Sequence, residues 1–67
     1  MKIEIYLALE EAYNQKIKEA TSQIEKLLED PNLIEGFENL LAEFEKLVEE
    51  ISKYESELKT LKKIFGE

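Results

Sequence analysis

The feature that most constrains this chain is an apolar heptad repeat between residues 37 and 65. The a positions of the repeat are occupied by Phe37, Phe44, Ile51, Leu58 and Phe65. The d positions are occupied by Leu40, Leu47, Tyr54 and Leu61. Apolar residues at a and d form one continuous stripe along a helix and are typical of helices that pack against another helix. The sequence therefore predicts a long helix whose stripe must be covered.

The first half of the chain carries a less regular stripe. Spacings of four and three residues connect Tyr13, Ile17, Ala20, Ile24 and Leu27. Extending this frame backward places Glu10 in the stripe, whereas Tyr6 and Leu9 fit better, so we expect a local shift of the frame. The association seam predicted from both halves consists of Ile17, Ile24, Phe37, Leu40, Phe44, Leu47, Ile51, Tyr54, Leu58 and Leu61.

A short turn separates the two stripes. Pro31 lacks an N–H group and disfavours helical backbone at Asp30, so the first helix should end near Glu29. Asn32 and Glu35 have the spacing of a capping box at the start of the second helix. We therefore predict helix 1 over about residues 3–29, a turn over residues 30–32 and helix 2 over about residues 32–65.

The first residues also permit a strand. Large aliphatic residues occupy every second position from Ile3 to Leu9 and alternate with Lys2, Glu4, Tyr6, Ala8 and Glu10, which is the pattern of a strand. A strand over residues 2–10 would have no pairing partner within this chain and would need to pair across a dimer. The following Leu-Ala-Leu-Glu-Glu-Ala segment favours helix, so helix is the prediction and the strand is the alternative.

These elements predict an all-α fold, a single antiparallel two-helix hairpin of the coiled-coil type. Two helices can each bury only one stripe, and a chain of 67 residues is close to the size at which one core is marginal. The N-terminal turns are apolar on several faces, which favours more than one neighbour. We therefore predict that the hairpin forms a homodimer, a four-helix bundle with two-fold symmetry.

The charge of the chain is strongly acidic and unevenly placed. Sixteen acidic residues and nine lysines give a net charge of -7. A possible acidic docking surface for a basic protein partner consists of Glu35, Glu38, Glu43, Glu45, Glu49 and Glu50. The alternative is that these side chains form an ordinary solvated face. Nucleic acid is a disfavoured partner, because the chain has no arginine and an acidic protein is repelled by polyanions.

The amino-acid composition does not favour catalysis or metal binding. The chain contains neither histidine nor cysteine, which removes the usual general base and the usual ligands of zinc, haem and iron–sulfur clusters. There is no glycine-rich phosphate loop. We expect no enzyme activity, no cofactor, no metal and no small-molecule substrate. No apolar run approaches the ~20 residues that span a bilayer, and the N-terminus does not resemble a signal peptide, so a cytoplasmic location is the default expectation.

Two families have similar patterns. The layout of the chain resembles the Rop-type RNA-regulating hairpin, which dimerises into a four-helix bundle, although none of that family's RNA-contacting residues can be matched here. The segment Ile24–Glu29, with Leu40 and Phe44, resembles the small subunit of exonuclease VII, although that family has a glycine-containing turn where this chain has Asp30-Pro31-Asn32. The predicted function is a protein–protein interaction module, an adaptor or small regulatory subunit. The alternatives are an acidic inhibitor or nucleic-acid mimic, and an accessory subunit of a nucleic-acid enzyme.

Overall fold

The computed structural model describes residues 1–66 and contains two long helices that pack antiparallel. Helix α1 spans Lys2–Glu29, a 3₁₀ turn spans Pro31–Leu33, and helix α2 spans Phe37–Phe65. The predicted all-α hairpin is therefore confirmed. The alternative of a strand over residues 2–10 is wrong, because these residues form the first turns of α1.

The end of α1 follows from the proline. Asp30 has φ -138° and ψ 81°, outside the helical region, as expected for a residue that precedes proline. Its N–H still donates to the carbonyl of Lys26 at 2.9 Å and completes the last turn of α1. Its carboxylate accepts a hydrogen bond from the N–H of Asn32 at 3.2 Å, which stabilises the 3₁₀ turn.

Helix α2 begins five residues later than the sequence indicated. Ile34 is extended, with φ -118° and ψ 126°, and Gly36 has φ 89°. A positive φ is accessible to glycine at little steric cost, and here it redirects the chain into α2. The predicted capping box of Asn32 and Glu35 is therefore wrong. Instead, the side-chain amide of Asn39 donates to the carbonyl of Glu35 at 2.9 Å.

The hydrophobic core lies between the helices and is small. The buried apolar side chains among the described residues are Ala20, Leu27, Leu47 and Leu61. The half-buried side chains packed against the first three of these are Ile24, Ile34, Leu40, Phe44 and Ile51. The core is thus a single layer of side chains between two helices.

The hairpin is elongated. Its extents are 47 × 14 × 12 Å and its radius of gyration is 15.1 Å. A compact domain of this length would have a radius of gyration of about 11 Å. The accessible surface is 5437 Å², whereas a compact monomer of 7.9 kDa exposes about 4,400 Å². The hairpin therefore exposes about 1,000 Å² more than a compact protein of its mass would.

The core predicts a large effect of truncating Leu47, whose side chain is 1% exposed. We expect Leu47→Ala to lower the free energy of unfolding by about 2–5 kcal/mol, because it removes buried methyl groups and leaves a cavity. Urea unfolding followed by circular dichroism measures the change. Leu33→Ala, at an exposed position outside both long helices, should change it by less than about 1 kcal/mol. Equal losses in the two variants would contradict the placement of the core.

The positive φ of Gly36 predicts a second effect on the stability of the hairpin. We expect Gly36→Ala to destabilise the hairpin by roughly 1–3 kcal/mol, because an L side chain is strained at this φ and ψ. The new Cβ would also lie 3.2 Å from the side-chain amide of Asn39. The matched control is Glu35→Ala at the neighbouring exposed position, where φ is not positive. Thermal unfolding of both variants tests the assignment, and an unchanged melting temperature in Gly36→Ala would refute it.

Candidate association surface

The seam between the helices is set by aromatic and aliphatic pairs along its whole length. At the open end, the rings of Tyr6 and Phe65 lie 6.0 Å apart between centroids. Farther along, Tyr13 and Tyr54 lie 6.4 Å apart. Such tilted pairs stabilise the contact beyond the area that they bury. From the first pair to the second, the residue number rises along α1 and falls along α2, as antiparallel packing requires.

Nine of the ten residues of the predicted association seam are buried or half-buried within the hairpin. Leu47 and Leu61 are buried. The half-buried members of the predicted seam are Ile17, Ile24, Leu40, Phe44, Ile51, Tyr54 and Leu58. The structure also buries Ala20 and Leu27, which belong to the stripe of α1. The two stripes therefore cover each other, and the half-buried members remain accessible at their edges.

Phe37 is the exception among the predicted seam residues, because its side chain is 73% exposed. Helix α1 ends at Glu29, so no helical turn of α1 lies opposite the first turn of α2. Ile34 from the connecting segment packs against the core instead. In the sequence, the contribution of Ile34 to the core is indicated by the apolar pair Leu33-Ile34 within an otherwise polar turn.

The expected shift of the α1 frame is also wrong. Tyr6 and Glu10 are both half-buried, whereas Leu9 is exposed. The original frame therefore continues through Glu10 to the start of the helix. The hydroxyl of Tyr6 donates to Glu10 Oε2 at 3.1 Å, which gives this carboxylate a partner at the edge of the seam.

This hydrogen bond affects the ionisation of Tyr6. Partial burial raises the pKa of the phenol above its ordinary value, and the hydrogen bond and negative charge of Glu10 act in the same direction. A phenolate at this position would lose the donated hydrogen bond and would face a carboxylate. The neutral phenol is therefore the form that the folded hairpin favours.

The two flanks of the seam differ in chemistry. The g positions of α2 carry half-buried Glu43, Glu50 and Glu57. The e positions carry Leu41 and Val48, which are 47% and 56% exposed. An open groove on this side is lined by Leu41, Phe44, Glu45, Val48 and Glu49. In the half of α2 nearer the turn, one flank is therefore charged and the other is apolar. Near the open end the pattern reverses, with Glu55 and Lys62 at e positions and Ile64 at a g position.

The apolar side extends onto α1. In the heptad frame of α1, Leu28 occupies an e position, and antiparallel helices bring their e positions to the same side. Leu28 is 67% exposed. We call Leu28, Phe37, Leu41 and Val48, together with the accessible edge of Phe44, the apolar flank. It occupies the half of the hairpin next to the turn.

The predicted acidic docking surface is divided by the structure. The fully exposed members are Glu35, Glu38, Glu45 and Glu49, whereas Glu43 and Glu50 are half-buried on the opposite flank. Residues 17–54, which form the half nearer the turn, contain ten acidic residues and four lysines. Residues 1–16 and 55–66 contain five of each. The negative charge is thus concentrated near the turn without forming a single patch.

Metal sites, membrane spans and related proteins give no further indication of function. Within residues 1–66, no three acidic side chains come together as a metal site would require. Over the same residues, neither long helix has a segment long and apolar enough to cross a bilayer. The chain matches no protein-family model, curated protein or solved structure at a significant level. The comparisons therefore assign no family, and the surface of the hairpin is the remaining indication of function.

The Tyr6–Glu10 contact predicts that the hairpin loses stability at alkaline pH. The pKa of Tyr6 is higher in the folded chain than in the unfolded chain. Its contribution is therefore complete below the pKa of an unfolded tyrosine, about 10, and is lost as pH rises through the folded value. Melting temperatures measured by circular dichroism from neutral to alkaline pH should fall more steeply in the unmodified chain than in Tyr6→Phe. Parallel curves for the two proteins would contradict this assignment.

Proposed function

We propose that this hairpin is a non-enzymatic interaction module that associates with a second copy of itself through the apolar flank. The observation that carries the proposal is the exposure of large apolar side chains on the apolar flank, to which the open end adds exposed Ile3, Leu7 and Ile64. Contiguous exposed apolar surface of this kind is typical of sites that bind another protein. The charged flank has no comparable set of aliphatic side chains near the turn.

The exposed area is consistent with this role. The surface excess over a compact monomer is about 1,000 Å². A standard specific interface buries about 800 Å² on each partner. Pairing two hairpins along the apolar flank would thus bring the exposed surface close to that of a compact protein. The product would be a four-helix bundle, in which each helix has two neighbours instead of one.

The composition supports an interaction role over catalysis. The hydroxyl groups and carboxylates of the chain have no histidine or cysteine to act with. The side chains that distinguish this surface are aliphatic and aromatic, and they provide contact area.

A second candidate function is docking on a basic protein surface. The observation that favours it is the excess of ten acidic residues over four lysines in the half nearer the turn. An association dominated by such charges would weaken as salt increases, because exposed charges are screened. An association dominated by apolar contacts would persist. The salt dependence of any complex therefore separates the two candidates.

Sedimentation equilibrium over a wide concentration range tests self-association. We expect the unmodified chain to form a dimer and Leu41→Glu to raise the dimer dissociation constant at least about tenfold, because a buried leucine contributes about 1.5–3 kcal/mol. The matched control is Ile64→Glu, an aliphatic position that is 67% exposed on the other flank near the open end. It should leave the dissociation constant within about threefold.

The two variants also show whether the hairpin stays folded and which flank forms the contact. Both replace exposed side chains, so each should retain the helicity of the hairpin, which circular dichroism checks. A monomer at every concentration would refute self-association. A dimer that is weakened by Ile64→Glu and not by Leu41→Glu would place the contact on the other flank.

A further inference from the structure

We propose that the open end of the hairpin binds the surface of a membrane that contains anionic lipids. The open end consists of residues 1–9 and residues 59–66, and the contact between the rings of Tyr6 and Phe65 joins these two segments. It lies outside the apolar flank, so the proposal does not depend on self-association. The observations that carry it are the placement of aliphatic side chains and of lysines around the open end.

Aliphatic side chains surround the first turns of α1. Exposed aliphatic side chains in this segment are Ile3, Ile5, Leu7 and Leu9, and Ile64 adds another at the end of α2. With about 3.6 residues per turn, Ile3 and Leu7 lie on one side of α1, and Ile5 and Leu9 lie on nearly the opposite side. A flat protein surface would cover one of these sides. A lipid interface is fluid and surrounds a helix end that enters it, so it covers both.

The length of this aliphatic segment matches the depth of a membrane interface. Residues 3–9 of a helix span about 9 Å, at about 1.5 Å per residue. Interfacial helices bury their apolar side chains about 5–10 Å into the boundary between the headgroups and the acyl chains. The half-buried ring of Tyr6 lies at the same end of the hairpin, and tyrosine is enriched at the level of the headgroups. The segment is therefore long enough to fill the interface.

The charge of the open end is opposite in sign to that of the rest of the chain. Residues 1–9 and 59–66 contain four lysines and one glutamate, whereas residues 17–54 contain ten acidic residues and four lysines. Glu67, which lies outside the described residues, follows this segment in the sequence. The exposed lysines of the open end are Lys2, Lys59, Lys62 and Lys63. Lysine stems lie along apolar surface while their ammonium groups reach water, and each lysine is attracted to an anionic lipid surface.

The net charge of -7 does not prevent this contact when the hairpin stands on its open end. The hairpin is 47 Å long, and the Debye length is about 8 Å at physiological ionic strength. The acidic residues near the turn then lie several Debye lengths from the lipid and are screened from it. Residues 10–16 and 55–58, with four glutamates and one lysine, lie beyond the aliphatic segment. A hairpin lying flat would bring the acidic half against the anionic lipid, so the upright orientation is favoured.

Binding to lipid vesicles tests the proposal. Co-sedimentation of the full chain gives its partition coefficient for vesicles of phosphatidylcholine alone and for vesicles of equimolar phosphatidylcholine and phosphatidylserine. We expect binding to the anionic vesicles to exceed binding to the neutral vesicles at least about tenfold, because the lysines of the open end are attracted to the anionic headgroups. Binding should weaken as salt increases, because exposed charges are screened.

One substitution tests the apolar contribution. Ile3→Gln should lower the partition coefficient for the anionic vesicles at least about fivefold, because it removes an aliphatic side chain that enters the interface. The matched control is Leu33→Gln, at an exposed aliphatic position in the turn. It should leave the partition coefficient within about twofold.

A pair of substitutions tests the charge contribution. Lys62→Gln together with Lys63→Gln should lower binding to the anionic vesicles at least about fivefold and leave the weak binding to neutral vesicles unchanged. The matched control is Lys26→Gln together with Lys46→Gln, which makes the same change in net charge in the half nearer the turn. It should change binding by less than about twofold, because these lysines lie far from the lipid.

All of these variants replace exposed side chains, so each should retain the helicity of the hairpin, which circular dichroism checks. The absence of binding by the folded chain to either kind of vesicle would overturn the proposal. Equal losses in Ile3→Gln and Leu33→Gln, or in the two lysine pairs, would also overturn it. A dimer that is weakened by Ile3→Gln in sedimentation equilibrium, with vesicle binding unchanged, would assign the open end to a protein contact instead.

Discussion

The packing of two apolar stripes along a single antiparallel seam is the interaction on which the rest of the structure depends. Neither long helix packs against a third helix within the described chain, and the connection over residues 30–36 returns α2 along α1. Because each helix contributes only one stripe, the buried core within residues 1–66 is limited to four apolar side chains. The elongated shape and the large accessible surface both follow from this limit.

The two flanks of the seam lead to different properties. On one flank, glutamates at the g positions of α2 lie half-buried beside α1, where their carboxylates reach solvent past the seam. On the other flank, leucine and valine occupy the equivalent positions and remain exposed. The same heptad therefore carries one side suited to water and one side suited to another protein. This asymmetry limits the number of ways in which a partner can approach.

The negative charge of the chain modifies the proposed association with a partner but does not by itself define where the partner binds. Negative charge is concentrated toward the turn, but the structure distributes it over several faces, and two of the six glutamates that suggested a docking surface are half-buried on the charged flank. The apolar flank lies in the same half of the molecule. A partner that covers this flank must tolerate the nearby carboxylates, which favours a surface of matching shape and modest charge.

The sequence by itself determined the helical class, the end of α1 and most of the seam. These features depend on local chemistry, namely heptad spacing, the missing N–H of Pro31 and the helix preference of residues 7–12. Only the tertiary structure decided that Phe37 lies outside the seam, because its placement depends on where α1 ends relative to α2. It also decided that Glu10 lies within the seam, since the hydroxyl of Tyr6 supplies a hydrogen bond that no residue spacing can reveal. The exposure of Leu28, Leu41 and Val48 was likewise decided by the tertiary structure, because residue spacing does not reveal how much of each side chain the opposite helix covers.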